Sequence, residues 1–600
     1  MNSRNFTRTV FAGALAIGLS IVASAAASAQ SPEGGTARDP ALQNLASRFF
    51  TWRATVQPCT GDDIPRVERP GGWVSPVAPE ALRDERRIYA EFKFMLQQLS
   101  RSGWNRSDSV DYLLLRSAIE RVNWELNVLK IPFRNPEFYV QQTLGALYEL
   151  LLISSPMTDL RTEDILRRIE SIPATLRFAR ANLTEPVQPF AKLAVGELGD
   201  ARARLYRMVA GLQGAIQPRY NQALAAGVDS ASTAIEAFVK DLQSQIPAMP
   251  AAFSPGTEAY AYFLKMIALI PASTVDMLTI GKTEFDRAAF SEMMEGMRDG
   301  GIPDMRIFSS ADEQIEQSRL DEIAIRKFLD DRDILTVPSW LKHYRNRLMA
   351  PSIAVFSSLG VADDLTSRTR LDEDAISYIP APSPGLSFFR MASAKDPRPI
   401  IIHEGIPGHY FQLSLSWANE DSVRRHFIDS GPIEGWGFYV EEMLLQAGLF
   451  DNDRPRTRET IYRFMRLRAL RVEADIRLAL GEFTIDQAAA LLEKTVPMAK
   501  QGALDEAAFF ASTPGQAISY QIGKAQIEAF LRDARLRKGE GFRLRDFHDY
   551  IVKNGNVPIA LLRWEYLGLR DEVANQKAEA RCWMKFPRLM REQKVLTRDS

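Results

Sequence analysis

Residues 401–412 read IIHEGIPGHYFQ, and whether their backbone is one helix or two decides what kind of helical protein this is. His403 is followed directly by Glu404, as in the zinc signature H-E-x-x-H, but the next histidine is His409, six residues on rather than four. Residues i and i+4 of an α-helix lie about 40° apart, whereas i and i+6 lie about 120° apart and about 9 Å along the axis. On an unbroken helix the two imidazoles would therefore face different sides. Pro407 has no N–H to give to a helical ladder, and Gly408 tolerates backbone angles closed to other residues. The stretch predicts a helix irregularity between 405 and 409 that lets both rings reach one ion. A straight helix here would end the metal reading.

The surroundings read as helix almost throughout. PEALRDERRIYAEFKFMLQQL (79–99), SVDYLLLRSAIERVNWELNVL (109–129), AVGELGDARARLYRMVAGLQGAI (194–216) and SADEQIEQSRLDEIAIRKFLDDRDIL (310–335) all place apolar residues at intervals of three and four. The least helical part is 345–400, where short strands are predicted around Ile353–Ser357 and Leu386–Met391. The expected class is mainly α: a large multi-helical chain with a small β element before the motif. Its expected divisions are a signal peptide at 1–29, an irregular segment at 30–80, an N-terminal helical region at 81–310, and a helical region at 311–600 that carries the site. No fixed-period repeat is visible.

Composition narrows the function classes. Of 600 residues, 74 are basic and 75 acidic, so the net charge of −1 gives no global field for nucleic acid or anionic membrane. No basic stripe interleaved with aromatics and no Cys-rich finger occurs, so nucleic-acid binding is not expected. The opening MNSRNFTRTVFAGALAIGLSIVASAAASAQ has two arginines, an apolar run and an Ala27-Ser28-Ala29 cleavage pattern, predicting export with a cut after Ala29, hence a periplasmic or secreted protein. No cysteine follows the apolar run, which argues against a lipid anchor. The most apolar later stretch, FLKMIALIPASTVDML (263–278), is interrupted by Lys265, Pro271 and Asp276, so stable membrane insertion is not expected. The two cysteines, Cys59 and Cys582, either close one long disulfide loop or remain separate thiols. The oligomeric state is open.

A catalytic zinc takes three protein ligands, keeps one position open, and needs a carboxylate that accepts a proton from water. SGPIEGWGFYVEEMLLQAGLF (430–450) offers the third ligand as Glu434, 25 residues after His409. Glu434, Phe438 and Glu441 share one helical face, so Glu441 is placed to orient a ligating histidine; Asp429 and Glu442 align less well. The same glutamates also suit a solvated helix face, and Gly-Trp-Gly also suits tight helix packing. His426, beside Arg424 and Arg425, reads as a surface residue. In STPGQAISYQIGKAQIEAFL (512–531), Thr513 is predicted as a helix N-cap with Pro514 in the first turn, putting Gln516, Tyr520 and Gly523 on one face. Tyr520 is either a donor to a tetrahedral oxyanion or a core tyrosine. In RFMRLRALRVEADIRLALGEF (463–483), Arg468, Arg471 and Asp475 form either an intrahelical ion-pair ladder or a carboxylate-binding group near a cleft. No nucleophile elbow, P-loop or dinucleotide fingerprint competes with these motifs.

HEGIPGHYFQ, EGWGFYVEE and TPGQAISYQIGK, in that order, together with YIPAPSPG and RALRVEADIRLALGEFT, resemble the bacterial domain-of-unknown-function 885 family over about residues 40–590, most specifically over 378–526. The resemblance implies an all-helical gluzincin-type metallopeptidase, related in architecture to the carboxypeptidase Taq and thimet oligopeptidase families, with zinc in a deep channel. It further implies His403, His409 and Glu434 as zinc ligands, Glu404 as general base and later proton donor, and Tyr520 beside the oxyanion. Many members read PGHH where Tyr410 stands here. The expected function is an exported zinc-dependent hydrolase cleaving short peptides. Metal-dependent hydrolysis of a non-peptide amide or ester, and non-catalytic peptide capture at a vestigial site, are the alternatives.

Overall fold

The helices begin where the sequence supplies partners for their first N–H groups. Asn105 and Asp108 form a reciprocal capping box at the start of Arg106–Asn123, Ser273 and Asp276 do so for Thr274–Arg298, and Thr484 and Gln487 for Ile485–Thr495. Each such cap contributes about 1 kcal/mol. The computed structural model describes residues 38–573 apart from 62–66, 452, 453, 455 and 497. The expected leader and Cys582 lie outside the described residues; Cys59 is buried, with Arg69 donating to its sulfur at 3.4 Å. The fold is mainly helical, 68% helix against 2% strand, which matches the expected class. Among the described residues no helix is long and apolar enough to cross a membrane.

The boundaries depart from the sequence reading in four places. The segment before residue 80 holds a helix, Pro40–Val56, capped by Asp39 and carrying Leu42, Leu45, Ala46 and Phe49 on its buried face. The stretch 194–216 is two helices, Gln188–Leu198 and Ala201–Leu212, parted at Gly199-Asp200. The strands are β1 (Tyr344–Leu348), β2 (Asp363–Asp364) and β3 (Ala375–Ile379), not the two predicted. Pro351 starts a short helix, Pro351–Ala354, where the first was expected, and Phe388–Ser393 is helical where the second was. β1 was missed because its sequence, YRNRL, is mostly polar; it gains its pairing from β3, in parallel, while β2 pairs β3 antiparallel. The fourth departure is at Thr513, which ends the helix Lys500–Ser512 rather than capping the next; Ser519–Lys538 begins six residues later.

From Asp39 onward the described chain is one compact unit. Its largest apolar cluster draws on both sides of residue 310, from Phe49 and Leu114 to Trp436, Phe438 and Phe547. Two helix pairings position the site. Thr274–Arg298 lies along Thr457–Leu480, and Ser430–Gln446 lies along Ser519–Lys538. The second pairing is close because glycines meet: a Cβ on Gly435 would stand 2.6 Å from the Gly523 Cα. Any larger residue at either position would push the two helices apart.

Candidate metal centre

The irregularity expected between 405 and 409 is present, and it takes two forms in succession. Ile401–Gly405 is a π-helical turn, closed by the Ile406 N–H donating to the Ile401 carbonyl, five residues back, at 2.9 Å. Ile406 is then extended (φ −123°, ψ 126°), and a new helix, His409–Trp417, begins after Gly408. The chain doubles back so tightly that a Cβ on Gly408 would lie 1.8 Å from the His403 carbonyl oxygen. Only glycine fits there. The break is bolted to the following helix: the fully buried Trp436 indole donates to the Pro407 carbonyl at 2.7 Å, and Gln412 donates to the Pro432 carbonyl at 3.1 Å.

The result brings both imidazoles to one carboxylate. His403 Nε2 and His409 Nε2 lie 3.3 Å and 3.4 Å from Glu434 Oε2, and the ring centroids are 4.6 Å apart at 74°. All three side chains are buried, with His409 only 1% exposed. Gly437 makes room for them: a Cβ there would stand 2.8 Å from the His409 ring and 3.0 Å from that of His403. The sequence motif EGWG thus carries two separate requirements, Gly435 for the approach of helices and Gly437 for the two rings.

The far side of His403 is also held. Its Nδ1 lies 2.6 Å from Glu441 Oε1, and Arg468 donates to the other Glu441 oxygen at 2.9 Å while standing 3.3 Å from the same ring nitrogen. This is the carboxylate–histidine arrangement that fixes a ligating imidazole and leaves Nε2 as its free donor. Burial and Arg468 work against a proton on His403, but Glu434 and Glu441 outweigh them and raise its pKa to about 9. Burial raises the Glu434 carboxyl, yet the two histidines pull it well below the ordinary carboxylate range.

Residues 403, 409 and 434 present ligand atoms all within 4.8 Å of one another. Four tetrahedral donors about 2.0–2.1 Å from zinc stand roughly 3.3 Å apart, close to the observed separations. Among the described residues, Glu404 Oε2 is buried and has no hydrogen-bond partner, and Glu434 Oε2 meets only the two imidazole nitrogens, at 3.3 Å and 3.4 Å. Buried polar groups in folded proteins are almost always satisfied, so an unmatched carboxylate oxygen beside this donor set calls for a guest. The donor set, its spacing and the unmatched oxygen therefore fit a zinc-like ion.

The remaining expected residues divide. Tyr520 lies beside the site, its ring nearly parallel to that of His403 at 6.2 Å, with Arg468 and Arg471 at 5.5 Å and 4.8 Å from its centroid. Gln516 precedes the Tyr520 helix and its amide nitrogen is 3.5 Å from the Tyr520 hydroxyl. The intrahelical ladder read for Arg468, Arg471 and Asp475 is not formed, since each side chain pairs outside its own helix. Arg471 pairs with Glu506 through two contacts of 3.1 Å and 2.5 Å, and Asp475 accepts the backbone N–H groups of Gly515, Ala517 and Ile518 at 2.8–3.2 Å. Asp475 thus fixes the TPGQ turn before Tyr520; burial, partly offset by those N–H donors, pushes its pKa up to about 6. His426 is half-buried rather than on the surface, stacked on Phe50 at 5.3 Å.

Sequence reasoning missed Tyr344 and underplayed Arg468. Tyr344, from β1, packs on Gly405, where a Cβ would meet its ring at 2.7 Å; burial, with Asp363 and Glu404 nearby, raises its pKa well above the ordinary value. Its signal was hidden in a polar strand. Arg468 had one: Phe464, Arg468, Arg471 and Asp475 fall at i, i+4, i+7 and i+11 of a helix that is buried nearly all round, so its charges point inward.

Residues 391–565, which include every residue of this site except Tyr344, match the model of the family described as bacterial protein of unknown function (DUF885). No curated protein matches the sequence. Among solved structures, the fold is similar to a protein from Shewanella oneidensis described as a lipoprotein of unknown function, at 18% identity and a TM-score of 0.67, covering 88% of this chain and 99% of that one. It is also similar to a protein from Colwellia psychrerythraea described as a lipoprotein, at 16% identity and a TM-score of 0.69, covering 88% of this chain and 97% of that one.

Proposed function

We propose that this chain is an exported metal-dependent hydrolase, with zinc as the ion and short peptides as the substrates. The observation that carries the reading is the convergence of His403, His409 and Glu434 across a broken helix, with Glu404 one residue from the first ligand and its buried oxygen unpartnered. The three side chains would hold the ion, and Glu441 with Arg468 would keep His403 in the ligating orientation. A bound zinc supplies Lewis acidity, which lowers the pKa of water and polarises a carbonyl. Glu404 then takes the proton of the attacking water and passes it to the leaving amine. The Tyr520 hydroxyl donates to the oxygen of the attacked carbonyl, a contribution of about 3–4 kcal/mol when such a donor is well placed.

Peptide capture without cleavage is the weaker reading, because a purely structural metal site has no use for an unpartnered Glu404. The gluzincin-like kinship enters on the same footing, from the ligand set of two histidines and a glutamate on a following helix. Export is supported by the leader-like N-terminus and by the description of the two structural relatives as lipoproteins. The test is metal content together with turnover. Purified protein should hold about one equivalent of zinc, and His403→Ala should lose it. Glu404→Gln should keep the metal and lose peptide hydrolysis. A metal-replete preparation with less than about a tenth of an equivalent of zinc would overturn the reading.

A further inference from the structure

Beside the metal centre lies a cavity of about 280 Å³, walled by the helices before residue 140, the start of the Glu434 helix and the TPGQ turn. Asp429, Ser430 and Gly431 line it, so its wall is one helical turn from Glu434, about 4.5 Å along the axis. Gln516 and Ser519 line it too, and Gln516 reaches the Tyr520 hydroxyl on the other side. The cavity wall and the Tyr520 hydroxyl thus share Gln516 as a common neighbour.

Its wall is aromatic. Phe49, Phe50, Trp124, Phe138, Phe263 and Phe509 all contribute. The charges on the wall are already engaged with one another. Arg53 pairs with Glu85 at 3.4 Å and with Glu125, and Arg121 pairs with Asp429 at 2.6 Å. Glu137 accepts from Gln141 at 3.2 Å, and burial raises its pKa, favouring its uncharged form. One polar atom stands ready: the Gln516 side-chain oxygen is buried, on a residue 7% exposed, and has no partner among the described residues. A buried amide left half-satisfied costs about 1–3 kcal/mol until a donor arrives.

We infer that this cavity is the subsite for a bulky apolar side chain of the phenylalanine type, and that the Gln516 amide holds the peptide backbone at its mouth. The inference rests on the hydrolase reading only for the route of the peptide past His403, His409 and Glu434. An aromatic side chain gains by leaving water for such a wall, whereas a charged one finds its possible partners taken.

The test is calorimetric binding of blocked tripeptides, acetyl-Gly-X-Gly-amide with X = Phe, Ala, Lys or Glu, to the full chain carrying Glu404→Gln, which removes turnover from the measurement. Chelator-treated wild-type protein is titrated in parallel. The Phe peptide should bind at least about tenfold more tightly than the others, the discrimination expected of a filled apolar pocket. Ala118→Trp and Leu129→Trp, which fill the cavity from two different elements, should each remove that preference while leaving the Ala peptide within about twofold. Equal affinity for all four peptides, failure of the Phe peptide to bind, or a preference unchanged by both variants overturns the subsite. A preference in protein whose metal-replete preparation holds less than about a tenth of an equivalent of zinc sustains the subsite and overturns the hydrolase reading. Turnover with no preference does the reverse.

Discussion

His548 and His409 are both buried histidines of this chain, 0% and 1% exposed, and they are treated in opposite ways. His548 has both nitrogens matched: Nδ1 lies 2.9 Å from the Ile334 carbonyl and Nε2 lies 2.9 Å from the Tyr439 hydroxyl. Burial lowers its pKa to about 4, so it sits in the core as a neutral, satisfied ring. His409 has an orphaned Nδ1 and a carboxylate at 3.4 Å from Nε2, with a second histidine beside it. The same contrast separates two buried ionic groups. Around Arg424, Asp111 and Glu565 lie at 2.9 Å and 2.7 Å and Asn554 accepts at 2.7 Å, so every guanidinium nitrogen is matched. Around Glu434 the contacts are longer, and Glu404 Oε2 and His409 Nδ1 nearby are unmatched. Closed networks hold the fold together; open ones of this density are arranged for something that is added.

The strongest way to break that comparison is to open the closed network. Arg424→Met should leave Asp111 and Glu565 without their cation and cost about 3–5 kcal/mol in denaturant unfolding. If instead it is nearly neutral to stability, closure does not mark structural duty and the contrast fails. Glu404→Gln should lower kcat/KM on a peptide substrate about a thousandfold, within the range for loss of a general base, with zinc stoichiometry unchanged. Loss of metal in that variant would move Glu404 into the ligand set.

The histidine contrast has a pH signature of its own. His548 has a folded pKa of about 4 against an ordinary value of 6.5. Its neutral form is the one the fold favours, so its contribution is whole above pH 6.5 and is lost as pH falls from 6.5 towards 4. The difference corresponds to about 3 kcal/mol. His548→Gln should flatten that limb of the stability–pH curve; an unchanged acid limb would remove His548 from the account.

The smallest effect is the most discriminating. Gly437→Ala and Gly196→Ala each place alanine inside a helix, a change that favours the helix by about 1 kcal/mol on propensity alone. At Gly196 nothing lies within 4 Å of the new methyl, and the variant should gain stability. At Gly437 the methyl meets both imidazoles, at 2.8 Å and 3.0 Å. Zinc affinity there should fall at least about tenfold, the scale on which disturbed ligand support is felt, with the helix intact by circular dichroism. Equal zinc affinity in the two variants would mean that the rings are free to shift.

Much of this was legible along the chain because it is local. Asn105, Ser273 and Ser310 mark helix starts by accepting from N–H groups three residues on, and each does so in the structure. Pro407-Gly408 announced a broken helix for the same kind of reason. What was illegible depends on partners far away in sequence. β1 is polar and is a strand only because β3 pairs it, and Asp475 left its own helix for backbone groups 40 to 43 residues on. Thr513 looked like a cap, but the helix before it runs on to Ser512.

By itself, then, the sequence determined that the chain is helical and that His403 and His409 cannot share a straight helix, since both follow from bond geometry within a few turns. Only the tertiary structure decided which carboxylate meets them, that Gly437 clears the space for their rings, and that Arg468 reaches across from another helix to hold Glu441 against His403. Those are contacts between segments that local propensity does not register, fixed by how closely helices can pack and by where burial leaves a polar atom without a partner.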